Sequence, residues 1–486
     1  MKKGQSSIIK NFIMNALLTM SSFIFPLITF PYVSRVLLPV GTGKVSFVTS
    51  CIAYFNMFAQ LGIPTYGVRA CARVRDDRKK LTRVAHELLT INIIMSLFAY
   101  IALAICIAVI PKFREEKTLY IVISCTIFLT AVGMEWLYKA LEQYSYITIR
   151  SIVFKFVALL AMFALVHSKE DYVIYGGITI FAASASNVLN FINVHKYIDL
   201  KPVGEYNLKQ HLKPICVFFS MACATTIYTN LDSVMLGFMK TDEDVGYYNA
   251  AVRIKAILVS IVTSLGTVLL PRASYYIEHG LNDEFRKISK KAMNFVMIIA
   301  LPMLIYFTVY AREGIYLLSG TAYEGSIIPM QIIMPTLLFI GMTNLLGLQM
   351  LVPMGKEKYV LYSEIVGALV DLFLNWLLIP KWGAAGAAVG TLVAEIAVWI
   401  VQVYSLKELV KELYINIRYL LILVALIVST GLSALIKLID VPIIFTLALS
   451  CAIYGVVYLI ILRLGKEEFV CSLTEIIKEK TKKKKY

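Results

Sequence analysis

Four cations sit where the chain is otherwise apolar. Arg253 and Lys255 lie inside the run from Tyr247 to Pro271, and Arg150 and Lys155 inside a run over 144–167. Such groups bind anions: a guanidinium fork gives a phosphate two charge-assisted hydrogen bonds, and an ammonium gives it a point charge. Helical spacing separates the four. Arg253 shares a face with Asn249, Ser260 and Ser264, at intervals of four, seven and eleven residues, whereas Lys255 is turned about 200° away among Ala251, Val259 and Val262. Lys155 shares a face with Thr148 and Ser151 and lies about eleven residues into its run, roughly 16 Å at helical rise. Arg150 is only about six residues in, so its alternative is to reach back to the aqueous interface; that alternative stays open for Lys255 too.

Carboxylates form a second constellation. Glu364, Asp371 and Asn375 recur at intervals of seven and four, and Thr391, Glu395 and Gln402 make a stripe on the following run. Acids inside apolar helices are expensive, and they mark proton or cation sites or pair with bases; both readings stay open. A polar stripe in the first run, Asn15, Thr19, Ser22 and Thr29, suits either a wet path or helix packing through small polar groups. The five histidines fall at run ends or in connections, which argues against a histidine-centred catalytic site. Six of the eight cysteines lie in apolar runs without a CxxC pair, so neither disulfides nor a metal site is expected. No catalytic group, cofactor or metal is expected, and the chain reads as a transporter rather than an enzyme.

The elements that must position these groups follow from composition. With 59% hydrophobic and 16% charged residues, 486 residues cannot hide their apolar surface in a globule. Apolar runs of about 20 residues recur throughout, the length a membrane helix needs. They are too long and too continuous for barrel strands. The expectation is an all-α polytopic membrane protein of fourteen transmembrane helices, with the first two over 11–36 and 40–65, the fifth over 144–167, the tenth over 325–354, and the eleventh and twelfth over 357–380 and 384–406. Pro26 and Pro31 are expected to interrupt the first span, Pro302 the ninth, and Pro329, Pro335 and Pro353 the tenth.

Lys and Arg concentrate in alternate connections such as "RACARVRDDRKKLTR" and "RKISKK", which places both termini in the cytoplasm. The net charge of +16 is therefore a matter of topology and of anionic headgroups, with no nucleic-acid partner implied. Gly43, Leu61–Gly62 and Arg69 recur as Gly246, Leu265–Gly266 and Arg272 at an offset near 203 residues. The organisation expected is two pseudo-symmetric six-helix lobes, 1–200 and 201–410, then two C-terminal helices over 411–465 and a basic cytoplasmic tail over 466–486. Even-numbered repeats of this kind place a substrate path between lobes.

Taken in order, "PYVSRVLLPVGTGKVSF", "FAQLGIPTYGVRACARVRDD", "GMEWLYKALEQYSYITIRSIVFK", "NLDSVMLGFM" and "DVGYYNAAVRIKAIL" resemble Wzx-type oligosaccharide flippases. These form the polysaccharide transport branch of the multidrug, oligosaccharidyl-lipid and polysaccharide exporter superfamily. The resemblance covers nearly the whole chain. It implies alternating access across the bacterial plasma (inner) membrane, with an undecaprenyl-diphosphate-linked sugar repeat as cargo for capsule or O-antigen synthesis. It further implies membrane lipids, a polysaccharide polymerase and glycosyltransferases as partners, and proton or sodium coupling. Carried onto this sequence, it adds Arg35 to the cations Arg150, Lys155, Arg253 and Lys255. It also marks Glu135, Glu142 and Asp232 as motif acids, with Asp232 joining Glu364, Asp371 and Glu395 as coupling candidates. A typical "RVLG" reads "RVLL" here, which puts the local turn in doubt. Two alternative cargoes come from the same superfamily: lipid II, whose diphosphate is shared, and multidrug or organic cations, which a basic path would repel.

Overall fold

The computed structural model describes residues 3–415, 417–467 and 469–471, so most of the basic tail lies outside the described residues. Among those described there is helix and no strand. The chain gathers into two compact units, Met1–Gly246 and Tyr247–Tyr486.

The first unit contains α1 (Lys3–Gln60), α2 (Ile63–Ala72), α3 (Arg78–Val109), α4 (Pro111–Glu115), α5 (Lys117–Gly133), α6 (Glu135–Ala140), α7 (Tyr144–Leu165), α8 (Tyr172–Ile180), α9 (Asn187–Asn193), α10 (Lys209–Met239) and the opening of α11 (Asp242–Glu278). α1 stays helical through Pro26 and Pro31, contrary to the expected interruption there, and breaks at Leu38, with φ 58° and ψ 177°, in the gap expected between the first two runs. Leu38 precedes Pro39, whose ring disfavours the helical conformation in the residue before it. The backbone adopts a left-handed region that suits glycine, where "RVLL" supplies leucine. α3 starts on Asp77, whose carboxylate accepts from the Lys79 and Lys80 amides at 3.1 Å each. Those bonds, the Lys80 amide foremost, hold its carboxyl below the usual carboxylate range. A core of Ile63, Leu81, Leu88, Trp136, Leu137 and Ile215 joins α2, α3, α6 and α10. Pro39–Gly43 and Asp242–Gly246 cross at backbone contact: a Cβ on Gly43 would lie 1.7 Å from the Asp242 carbonyl oxygen, and one on Gly246 would lie 2.1 Å from that of Pro39.

The second unit contains the rest of α11, then α12 (Asn282–Val309), α13 (Ala311–Ser319), α14 (Ile327–Ile333), α15 (Thr336–Thr343), α16 (Glu357–Trp382), α17 (Ala384–Leu406), α18 (Glu408–Ile415), α19 (Tyr419–Ala434) and α20 (Ile443–Leu464). The chain bends by 46° between Ile333 and Thr336, where Pro335 sits, and then widens into a π-helical segment, Asn344–Leu351. Pro302 in α12 has no N–H to give the Ile298 carbonyl one turn back, and the Tyr458 hydroxyl of α20 donates to that carbonyl at 3.1 Å instead. Tyr454 donates to the Pro302 carbonyl at 3.1 Å, so α20 is fastened along the proline-containing stretch.

Among the described residues, eleven helices are long and apolar enough to cross a membrane, or twelve if the bent pair is one span. Trp376, Phe445 and Leu464 lie 63%, 65% and 78% exposed, an apolar surface that lipid tolerates and water does not. The chain is an all-helical, multi-pass membrane protein.

Candidate functional site

α7 lies parallel to the first arm of α1 in a fixed register. Thr148 Oγ1 donates to the Met14 carbonyl at 2.9 Å, Lys155 Nζ donates to the Ser21 and Ser22 hydroxyls at 2.9 Å each, and Tyr32 donates to the Val166 carbonyl at 2.7 Å. Thr148 and Lys155 thus share the face that their seven-residue spacing predicts. Both serines also turn their hydroxyl protons to the Leu18 carbonyl, at 2.7 and 3.2 Å, and so present lone pairs to the ammonium. Lys155 is partly exposed. Among the described residues its ammonium meets hydroxyls and no carboxylate at ion-pair distance. With a third N–H to spare, it can receive an anionic oxygen without first breaking an ion pair.

Arg150, about 140° round the same helix, is used differently. It is 5% exposed; its guanidinium donates to Ser186 Oγ at 2.6 Å, to Asn187 Oδ1 at 3.2 Å and to Glu135 Oε2 at 3.2 Å. The other Glu135 oxygen pairs with Lys139 at 2.9 Å. Arg150 therefore ties α6, α7 and the start of α9 together and does not reach back to the interface. Arg35 is exposed and donates to the Pro31 carbonyl one turn back. Glu142 occupies the turn before α7, with φ 58°, and pairs with Arg75 at 2.7 Å. Asp232 is buried in α10 beside Ser233.

In the second unit, α16 and α17 pack as an antiparallel hairpin with a polar seam. α16 buries Ser363, Gly367, Asp371, Asn375 and Ile379, every fourth residue; α17 buries Gly390, Thr391, Glu395 and Gln402 among others. Gln402 Nε2 donates to Ser363 Oγ at 3.1 Å, and the hydroxyls of Thr391 and Tyr248 are 2.9 Å apart. Gly390 is required for this approach, since a Cβ there would lie 2.3 Å from Asn375 Oδ1 and 3.1 Å from Asp371 Oδ1. Asp371 and Glu395 are 2% and 5% exposed. Glu364 is not on this line: it is partly exposed, and Ser363 holds the seam position instead. Arg253 and Lys255 on α11 are both partly exposed, with Ala251 and Val262 beside Lys255 fully buried.

One polar cluster escaped the sequence reading. Glu87, fully buried in α3, accepts from His211 Nε2 at 2.8 Å, Gln210 at 3.0 Å, the Asn207 amide at 2.7 Å and Arg83 at 3.3 Å. It pins the approach to α10 onto α3. An acid in an apolar helix was its one local signal.

Residues 8–277, more than half the chain, match the family described as "Polysaccharide biosynthesis protein". The chain belongs to the polysaccharide biosynthesis protein family. The α7 site falls wholly within that matched stretch, and residues 217–377 also match the MatE family. Among relatives, the "Putative O-antigen transporter" of Escherichia coli (strain K12) is 23% identical over 398 residues, covering 81% of this chain and 95% of that protein. The "Probable flippase AglR" of Haloferax volcanii is 24% identical over 188 residues, covering 38% of this chain and 39% of that one. Among solved structures, "Lipid II flippase MurJ, inward closed conformation" superposes with a TM-score of 0.73 at 15% identity, over 94% of this chain and all of that one. An inward-facing multidrug resistance MATE family transporter gives 0.63 at 13%, over 84% and 99%. At such identities the likeness is one of fold. Polysaccharide biosynthesis family membership comes from the sequence.

Proposed function

We propose that the protein is a flippase that carries undecaprenyl-diphosphate-linked oligosaccharide repeat units from the inner to the outer leaflet by alternating access, for surface polysaccharide synthesis. The observation that carries this is Lys155, a cation deep in an apolar helix whose ammonium is held by serine hydroxyls and stays partly exposed. A diphosphate headgroup is too polar to cross lipid unaided, and a cation at that depth offsets the loss of its water while the polyprenyl tail stays among acyl chains. The relatives' names, O-antigen transporter and flippase, agree. Glycosyltransferases and a polymerase would supply and consume the cargo.

In this reading the chain crosses the membrane fourteen times, in two six-helix lobes and a final pair, with both termini cytoplasmic. Support comes from the break at Leu38 within Ile13–Ala72 and from α5, an apolar helix of 17 residues; one further span from each would bring twelve to fourteen. Gly43 and Gly246, which head the internal repeat, pack reciprocally. The buried acids Asp371 and Glu395 are the groups through which protons or sodium ions would couple to transport.

The test is complementation of a flippase-null strain. Lys155→Ala is expected to abolish surface polysaccharide while lipid-linked repeat units accumulate on the cytoplasmic leaflet. Unpolymerised units on the outer leaflet would instead make the protein a polymerase or ligase.

A further inference from the structure

Where α17 ends, the chain turns through Lys407, with φ 45°, into the short helix α18. The two helices enclose a groove of about 760 Å³, walled by Trp399, Val403 and Tyr404 of α17 and Tyr414 of α18, with Lys407 and Lys411 at its rim. The wall is fixed: Tyr414 Oη accepts from Trp399 Nε1 at 3.3 Å and donates to Met342 Sδ at 3.2 Å. Glu412 of α18 is turned away toward α12, where Arg286 and Lys290 pair with it at 2.8 and 3.5 Å. Lys407 and Lys411 are exposed, and the Lys407 ammonium lies 5.6 Å from the centre of the Tyr404 ring. Among the described side chains, neither lysine pairs with a carboxylate.

An apolar trough with an aromatic wall and two ammoniums at one end fits an amphiphile with a negative head. The lysines belong to the connection that the Lys and Arg distribution assigns to the cytoplasmic face, at the depth where aromatic rings and lysines meet headgroups. We propose that the groove holds one anionic glycerophospholipid of the cytoplasmic leaflet, its phosphate between Lys407 and Lys411 and an acyl chain along Trp399 and Val403. The residues that line the groove all belong to the second unit and include none of the α7 site.

The test is native mass spectrometry of the full-length protein with phosphatidylglycerol, phosphatidylcholine and undecaprenyl phosphate as probes. Phosphatidylglycerol is expected to be retained over phosphatidylcholine by about tenfold, and K407Q/K411Q to lose that preference while K407R/K411R keeps it. Because Lys407 sits in a strained turn, K411E alone provides a second arm, with a loss of about tenfold expected from reversing one rim charge. Phosphatidylglycerol binding unchanged in K407Q/K411Q and K411E, or equal retention of phosphatidylcholine, would overturn the proposal. So would displacement of phosphatidylglycerol by undecaprenyl phosphate, which would make the groove a seat for the cargo's own lipid.

Discussion

Lys155 on α7 touches two serine hydroxyls and stays partly exposed, whereas Asp371 and Glu395 on α16 and α17 lie in a seam that leaves no room for a methyl group at Gly390. Both regions place ionisable groups in apolar helices. The first keeps hydrogen-bonding capacity open, and the second is sealed by packing. A group that must exchange ligands needs the first arrangement; a helix pair that must keep its spacing needs the second. Substitution in the seam should therefore cost stability, and substitution at Lys155 should cost transport.

Arg150 is the sharpest contrast with Lys155, being a cation of the same helix built into packing. Arg150→Ala leaves the buried Asn187 and Ser186 without their donor and Glu135 with Lys139 alone, and about 1–3 kcal/mol of destabilisation is expected in thermal unfolding. A loss under about 1 kcal/mol would erase the distinction between the two cations. Lysine should rescue poorly, because it lacks the fork that reaches three partners at once.

Gly390→Ala tests the seam. The added Cβ collides with Asn375 Oδ1, so the helices must part, at a cost of about 1–3 kcal/mol; an unchanged midpoint would mean the seam is loose. Tyr458→Phe, in the same unit, orphans the Ile298 carbonyl beneath Pro302 and should cost about 1–2 kcal/mol, which hydrogen exchange around Ile298 would locate as increased local opening. The smallest effect belongs to Leu38→Gly. Relieving a left-handed leucine should raise stability by about 1 kcal/mol, and a lowered midpoint would mean that leucine's contacts outweigh its strain.

What could be read beforehand follows from what is local. α7 was expected over 144–167 and spans Tyr144–Leu165, because apolar run length is a property of the chain itself. Its shared Thr148–Lys155 face was legible for the same reason. Ser22 was legible as part of the polar stripe of the first run, but Ser21 and the contact of both with Lys155 were not, since the register between α1 and α7 is a tertiary fact. Glu364 was misplaced because a straight stripe was assumed, whereas the seam follows the inclined i±4 ridge of α16, through 375, 371, 367 and 363. The break at Leu38 falls in the gap expected between the first two runs, 11–36 and 40–65, whereas the interruption expected at Pro26 and Pro31 is absent because a membrane helix can absorb a lost bond. The Glu87–His211 pair was not legible, because two residues 124 apart in the sequence meet at 2.8 Å only in the fold.

The central claim is that Lys155 receives the cargo's phosphate. Its most direct test is the rate at which purified protein in proteoliposomes translocates an undecaprenyl-diphosphate-linked oligosaccharide, compared between wild type and Lys155→Met at matched thermal stability. Loss of a charge-assisted contact worth about 1.5–3 kcal/mol predicts a rate lower by about 10- to 150-fold with an unchanged unfolding midpoint. Wild-type translocation by Lys155→Met would contradict the account.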